Sequence, residues 1–113
     1  MSEGIRTVIV PVADLAKAKA VYGELAGAPA QDEPYYVGYD LGGGLHVGLD
    51  PNGHGKGMTG PVGYWHVEDI EASLEALLAA GAQTVSAVRN VGTGRRIATV
   101  RDTDGNLIGL LQP

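Results

Sequence analysis

Pro11-Val12-Ala13-Asp14-Leu15 and, further on, His66-Val67-Glu68-Asp69-Ile70 decide the fold, because they give one instruction twice. Each leads from an apolar, strand-like segment into an aspartate, and from the aspartate into an apolar helical stretch. An aspartate there accepts a hydrogen bond from the unpaired N–H groups of the first turn and so starts a helix. The first helical stretch closes near Gly27-Ala28 and the second at Gly81-Ala82, so the aspartates lie 55 residues apart and the glycines 54. Val47-Gly48-Leu49-Asp50-Pro51 is echoed by Ile108-Gly109-Leu110-Leu111-Gln112-Pro113. A repeat of this length means two copies of one supersecondary unit.

Outward from the two helix starts, the pattern fills in. Thr7–Val12 is β-branched and apolar and reads as a strand. Leu15, Ala18, Tyr22 and Leu25 recur at helical spacing and give the first helix one buried face; Ile70, Leu74, Leu77 and Leu78 do so for the second. Tyr35–Tyr39 and Leu45–Leu49 form a hairpin around Gly42-Gly43-Gly44, after a short, ill-defined strand near residues 29–31. The second copy gives strands over Val62–Val67, Thr84–Val91, Arg95–Arg101 and Leu107–Leu111. The expected class is α+β: one domain over residues 1–113, made of β-α-β-β-β units at about 5–50 and 61–113. Asp50–Pro61, rich in Gly and Pro, reads as a flexible linker between them. Its Asn52-Gly53-His54-Gly55-Lys56-Gly57 lacks the spacing and following helix of a phosphate-binding loop.

Composition narrows the partners. A net charge of −5 argues against a broad nucleic-acid surface, which needs clustered cations. Arg89, Arg95, Arg96 and Arg101 are the one concentration of positive charge, and read as solvated ion pairs, with a small anionic ligand near one of them as the alternative. No run reaches the roughly 18 apolar residues of a membrane span. Met1-Ser2-Glu3-Gly4 does not open a secretory signal, and the absence of cysteine removes thiolate sites and disulfides. The expectation is a cytoplasmic protein.

The two units with their V-x-D-[LI] helix entries resemble the vicinal oxygen chelate superfamily, which holds glyoxalases, extradiol dioxygenases, methylmalonyl-CoA epimerases and bleomycin-resistance proteins. Val12-Ala13-Asp14-Leu15, Tyr22-Gly23-Glu24-Leu25-Ala26-Gly27 and Arg101-Asp102-Thr103-Asp104-Gly105-Asn106-Leu107 carry the likeness. Thr103 replaces the proline of that family's D-P-D-G-N turn. The resemblance implies an open, curved mixed-sheet barrel around a cavity, and a homodimer. It also implies metal ligands on the first and last strand of each unit, at positions that fall here on Thr7, Gly48, Val62 and Gly109. Valine and glycine side chains have no donor atom, and one threonine hydroxyl is a poor ligand. The expectation is therefore no metal and no other cofactor.

Strand alternation assigns what faces the implied cavity. Thr7 and Ile9, His46 and Gly48, Val62, Tyr64 and His66, and Leu107, Gly109 and Leu111 fall inward, with the two glycines leaving room. Trp65 and Val67 fall on the helical side. His66 with Tyr64 is the candidate general acid–base pair, because imidazole titrates near neutral pH, and a merely structural, hydrogen-bonded histidine in a half-polar barrel competes with that role. A metal displaced onto His46 and His66 lacks an inward carboxylate to complete it. Among Tyr35, Tyr36 and Tyr39, the first and last share a face, and ordinary sheet packing competes with ligand stacking. The leading expectation is a binder of a small organic molecule, an antibiotic or secondary metabolite, without metal. The alternatives are a metal-dependent lyase, isomerase or dioxygenase with non-standard ligands, and an interaction module with a filled cavity.

Overall fold

Both aspartates start helices in the computed structural model, which describes residues 2–113. Asp14 Oδ1 accepts from Lys17 N at 3.0 Å, and Asp69 Oδ1 from Ala72 N at 3.1 Å. The helices are α1, Leu15–Ala26, and α2, Ile70–Ala79. Gly27 ends α1 with φ 80, a conformation that costs a residue with a Cβ. Asp14→Ala and Asp69→Ala are each expected to lower stability by about 1 kcal/mol, and the Asn variants by much less. Urea unfolding separates the two outcomes.

The class is α+β. The chain divides into two compact units, Thr7–Val62, and Gly63–Pro113 with the first residues through Arg6. Strand β1, Ser2–Pro11, begins five residues earlier than its apolar run suggests. Gly4 adopts φ 90, and Ile5 covers Gly63 at the start of the second unit. A polar, glycine-bearing segment carries no strand pattern of its own; its neighbours impose the extension.

In the first unit β2, Gln31–Glu33, β3, Tyr36–Gly42, and β4, Leu45–Asp50, lie in the order β2-β3-β4-β1. β1 runs parallel to β4, and the other pairs are antiparallel. Val12, Val37, Tyr39 and Leu49 are buried under α1, against Leu15, Ala18, Tyr22 and Ala26. Tyr39 Oη donates to Lys19 O of that helix at 3.1 Å. Leu25 is 86% exposed, contrary to its helical spacing. At about 100° per residue it sits some 65° off the middle of the buried face, and Ala26 takes its place.

The second unit repeats the plan. β5, Val62–Val67, runs parallel to β8, Leu107–Gln112, followed by β7, Arg96–Arg101, and β6, Gln83–Asn90. Val67, Ile70, Ala98 and Leu110 are buried, with Leu74, Leu77 and Val88 packed on them. Leu78 is displaced to the flank like Leu25 and is 40% exposed. Gln112 Oε1 accepts from Ile70 N at 2.9 Å and from Arg96 Nη2 at 3.1 Å. Arg96 also pairs with Glu71, so one arginine of the basic group serves to fix α2. Between β7 and β8, Asp102 gathers the turn: its Oδ1 accepts from Asn106 N at 2.8 Å and Asp104 N at 2.9 Å. The bonds from Asn106, backbone first and side chain second, hold the Asp102 carboxyl below its ordinary pKa.

The segment after β4 is not a featureless linker. Asp50 is buried; its Oδ1 accepts from Asn52 N and its Oδ2 from Lys56 Nζ, both at 2.8 Å. His54–Lys56 forms one 3₁₀ turn, and Met58 is buried. A Cβ on Gly53 would stand 2.6 Å from Pro11 Cβ, so this glycine is where the loop lies against β1. Glycine here marks close approach, which composition alone cannot distinguish from slack. His54 is exposed. Among the described residues, no helix is long and apolar enough to cross a membrane.

Candidate functional site

The face of each unit's sheet away from its helix carries the candidate site residues. In the first unit Val37, Tyr39 and Leu49 go under α1, so alternation sends Tyr36, Gly38, His46 and Gly48 to the other side. Register confirms their proximity: Gly38 pairs with Gly48, which also pairs with Ile9, and His46 pairs with Thr7. Tyr36 Oη lies 2.9 Å from His46 Nε2, and the rings are near parallel, 14° apart with centroids at 6.2 Å. When Nε2 is unprotonated the phenol donates to it; otherwise Nε2–H donates to the phenol oxygen.

This pair rests on bare backbone. A Cβ on Gly38 would stand 2.8 Å from the His46 ring, and one on Gly48 would overlap the Tyr36 hydroxyl. The second unit does the same with different residues. Tyr64 pairs in register with Gly109, and a Cβ there would stand 2.5 Å from Tyr64 Cγ. Neither Gly48 nor Gly109 therefore leaves room. Each is the floor beneath an aromatic ring, because a glycine in a strand is a strip of surface an aromatic ring can cover.

Thr7, Val62, Tyr64 and Leu111 are buried, while Ile9, His46, His66 and Leu107 are half-buried. His66 shares the face of Tyr64 and pairs in register with Leu111. Its pKa lies below the ordinary imidazole value, chiefly because burial disfavours the charged form; Glu3 opposes this, and Arg6 and Arg95 reinforce it. His66 is thus neutral at pH 7. A folded-state pKa below the unfolded one makes stability fall as pH drops through the ordinary histidine range toward the lower folded value. A proton-NMR titration is expected to place His66 below a histidine in a model peptide. His66→Gln should flatten stability over that window.

Tyr36, for which sheet packing and ligand stacking compete in the sequence, joins the candidate site through its contact with His46. The signal was present in the hairpin: Gly38 and Gly48 stand equally far from Gly43, so they are cross-strand neighbours with nothing of their own to cover them. Of its companions, Tyr35 precedes β3 and is exposed, and Tyr39 belongs to the core.

The residues at the four positions of the metal-binding pattern do not fit an ion. Gly48, Val62 and Gly109 offer no side-chain donor, and a carboxylate built at 48 or 109 would collide with Tyr36 or Tyr64. Among the described residues no group of three or more His, Asp or Glu is placed to hold a metal.

No curated protein matches the chain in sequence. Solved structures match its fold. A methylmalonyl-CoA epimerase from Mycobacterium tuberculosis has a TM-score of 0.76 at 22% identity, over 99% of this chain and 89% of that one. A methylmalonyl-CoA epimerase from Streptomyces coelicolor, in complex with 2-nitronate-propionyl-CoA, gives 0.71 at 15%, over 99% and 98%. The Mn(II)-bound glyoxalase from Novosphingobium aromaticivorans gives 0.72 at 20%, over 99% of this chain but 40% of that one. Identities this low carry the fold alone. The family model for the Glyoxalase/Bleomycin resistance protein/Dioxygenase superfamily matches residues 4–110, and the chain belongs to that superfamily.

Proposed function

We propose that the protein binds a small, oxygen-bearing organic molecule, of the antibiotic or secondary-metabolite class, without a metal ion. One observation carries this reading: in both units the last-strand position at which the resemblance implies a metal ligand is a glycine roofed by tyrosine. A phenol beside an imidazole thus stands where the resemblance implies a metal ligand. Phenol and neutral imidazole donate to and accept from carbonyl and hydroxyl groups, and each unit adds a half-buried apolar residue of its own, Ile9 in the first and Leu107 in the second. The Streptomyces coelicolor epimerase binds a CoA-ester analogue on this fold, which supports an organic guest. Any turnover is assigned to His66 as base, since it is held neutral, with Tyr64 as its partner on β5. The protein is further proposed to be a cytoplasmic homodimer; sedimentation showing only monomer at micromolar concentration contradicts the dimer.

The test is a thermal-shift screen of aromatic and peptide antibiotics with a chelator present. A ligand at 100 times its Kd stabilises by about 2.7 kcal/mol, enough to read directly. Tyr36→Phe keeps the ring over Gly48 and deletes the hydroxyl, so the best hit should bind about tenfold more weakly while unliganded stability changes by about 1 kcal/mol or less. A hit indifferent to Tyr36→Phe, or a stoichiometric Mn, Ni, Zn or Fe in the purified protein, defeats the proposal.

A further inference from the structure

The helical side of the second unit holds a groove of about 550 Å³ that has no part in the site above. It runs beside α2 over β5 and β8, with Trp65, Leu77 and Ile108 supplying its apolar surface. On the helix the facing residues are Ala72 and Ala76, and their small size is what keeps the groove open. Trp65 should lie under α2 by alternation, like Val67, yet it remains 39% exposed while Val67 is 2% exposed. A tryptophan on the core side of a sheet, left uncovered by its own helix, offers a broad aromatic face to a ligand.

The rim decides the charge of that ligand. Glu68 and Asp69 line the groove, and among the described residues no lysine or arginine does. The amino end of α2 opposes a cation with roughly half a positive charge, but two carboxylates outweigh it about fourfold. Asp69 Oδ1 accepts from Ala72 N, and Glu71 is engaged with Arg96 outside the groove. We propose that this groove is a second binding site, taking a small lipophilic cation: an aryl- or alkylammonium whose hydrocarbon lies on Trp65, Leu77 and Ile108 and whose charge faces Glu68 and Asp69. The volume suits a molecule of drug-like size or smaller. Trp65 adds attraction for an ammonium lying over its ring.

Trp65 is the only tryptophan in the chain, so its fluorescence reports on the groove alone. The probes are phenethylammonium, phenethyl alcohol and 3-phenylpropionate: cation, neutral and anion of similar shape. Phenethylammonium should change the emission saturably, and 3-phenylpropionate should bind about tenfold or more weakly. Glu68→Gln should reduce affinity for the cation about fivefold and leave phenethyl alcohol unchanged. Ala76→Leu, which fills the groove from an exposed helix position, should abolish the response to all three probes. Chemical denaturation of both variants checks that they remain folded. Equal binding of cation and anion, or indifference to Glu68→Gln in a folded variant, overturns the charge assignment. The proposal also fails if Trp65 emission shifts with protein concentration in the absence of probe, since a second copy of the chain then covers the groove.

Discussion

Gly109→Ala is expected to destabilise the protein by about 3 kcal/mol, at the upper end of what one extra methyl costs in a packed interior. For a domain of this size that lowers the melting temperature by roughly 13 °C. The reason is where the collision falls. The added Cβ meets Tyr64 at Cγ and both Cδ atoms, 2.5 to 2.7 Å away, which is the root of the ring. A root cannot swing aside without moving the side chain off β5, and Tyr64 is only 8% exposed. Gly48→Ala should cost less, about 1 kcal/mol, because the atoms it meets are the hydroxyl end of Tyr36. That end can move, at the expense of its bond to His46. The relation is checked by a double-mutant cycle. Tyr64→Ala and Gly109→Ala together should fall short of the sum of the singles by more than about 1 kcal/mol, since each removes the cause of the other's cost. Strict additivity would mean that the ring does not lie on the glycine.

The same contact explains why the surroundings of the candidate site were only half legible in the sequence. Periodicity of two assigns a face, and His46, Tyr64 and His66 stand on the face away from the helices. Periodicity says nothing about which neighbour fills the space above a missing side chain. Gly48 and Gly109 therefore read as room, when each is the bed of a ring one strand away. The fold was easier because its signals are local: Asp14 and Asp69 cap, Gly27 ends a helix, and three glycines turn the hairpin. Leu25 and Leu78 show the limit of helical spacing, which fixes a stripe to within about one residue and leaves its edge to the partner sheet. Asp50–Pro61 misled for another reason. Its order comes from one buried carboxylate and from Gly53 against Pro11, and neither contact has a periodic signature.

Ile70→Ala should cost about 3 to 4 kcal/mol, in the upper half of the range for emptying a buried aliphatic site. Ile70 is fully buried, packed with Val67, Ala98 and Leu110, and it is the first residue of a helix of only ten. A helix so short does not hold itself together; packing must. The repeat supplies an internal control, because Leu15 follows Asp14 as Ile70 follows Asp69. Leu15 is half-buried, so Leu15→Ala should cost about half as much despite equal chemistry. Asp69→Ala, at about 1 kcal/mol, should come well below Ile70→Ala, because the cap sets where α2 begins while Ile70 sets where it lies. Hydrogen exchange distinguishes the two: Ile70→Ala should speed exchange along the whole of α2, Asp69→Ala only in its first turn. Because Ala72 and Ala76 form one wall of the Trp65 groove, loosening α2 should also broaden the Trp65 emission and weaken phenethylammonium binding. Urea unfolding in which Ile70→Ala proved no worse than Leu15→Ala would remove Ile70 as the anchor of that helix.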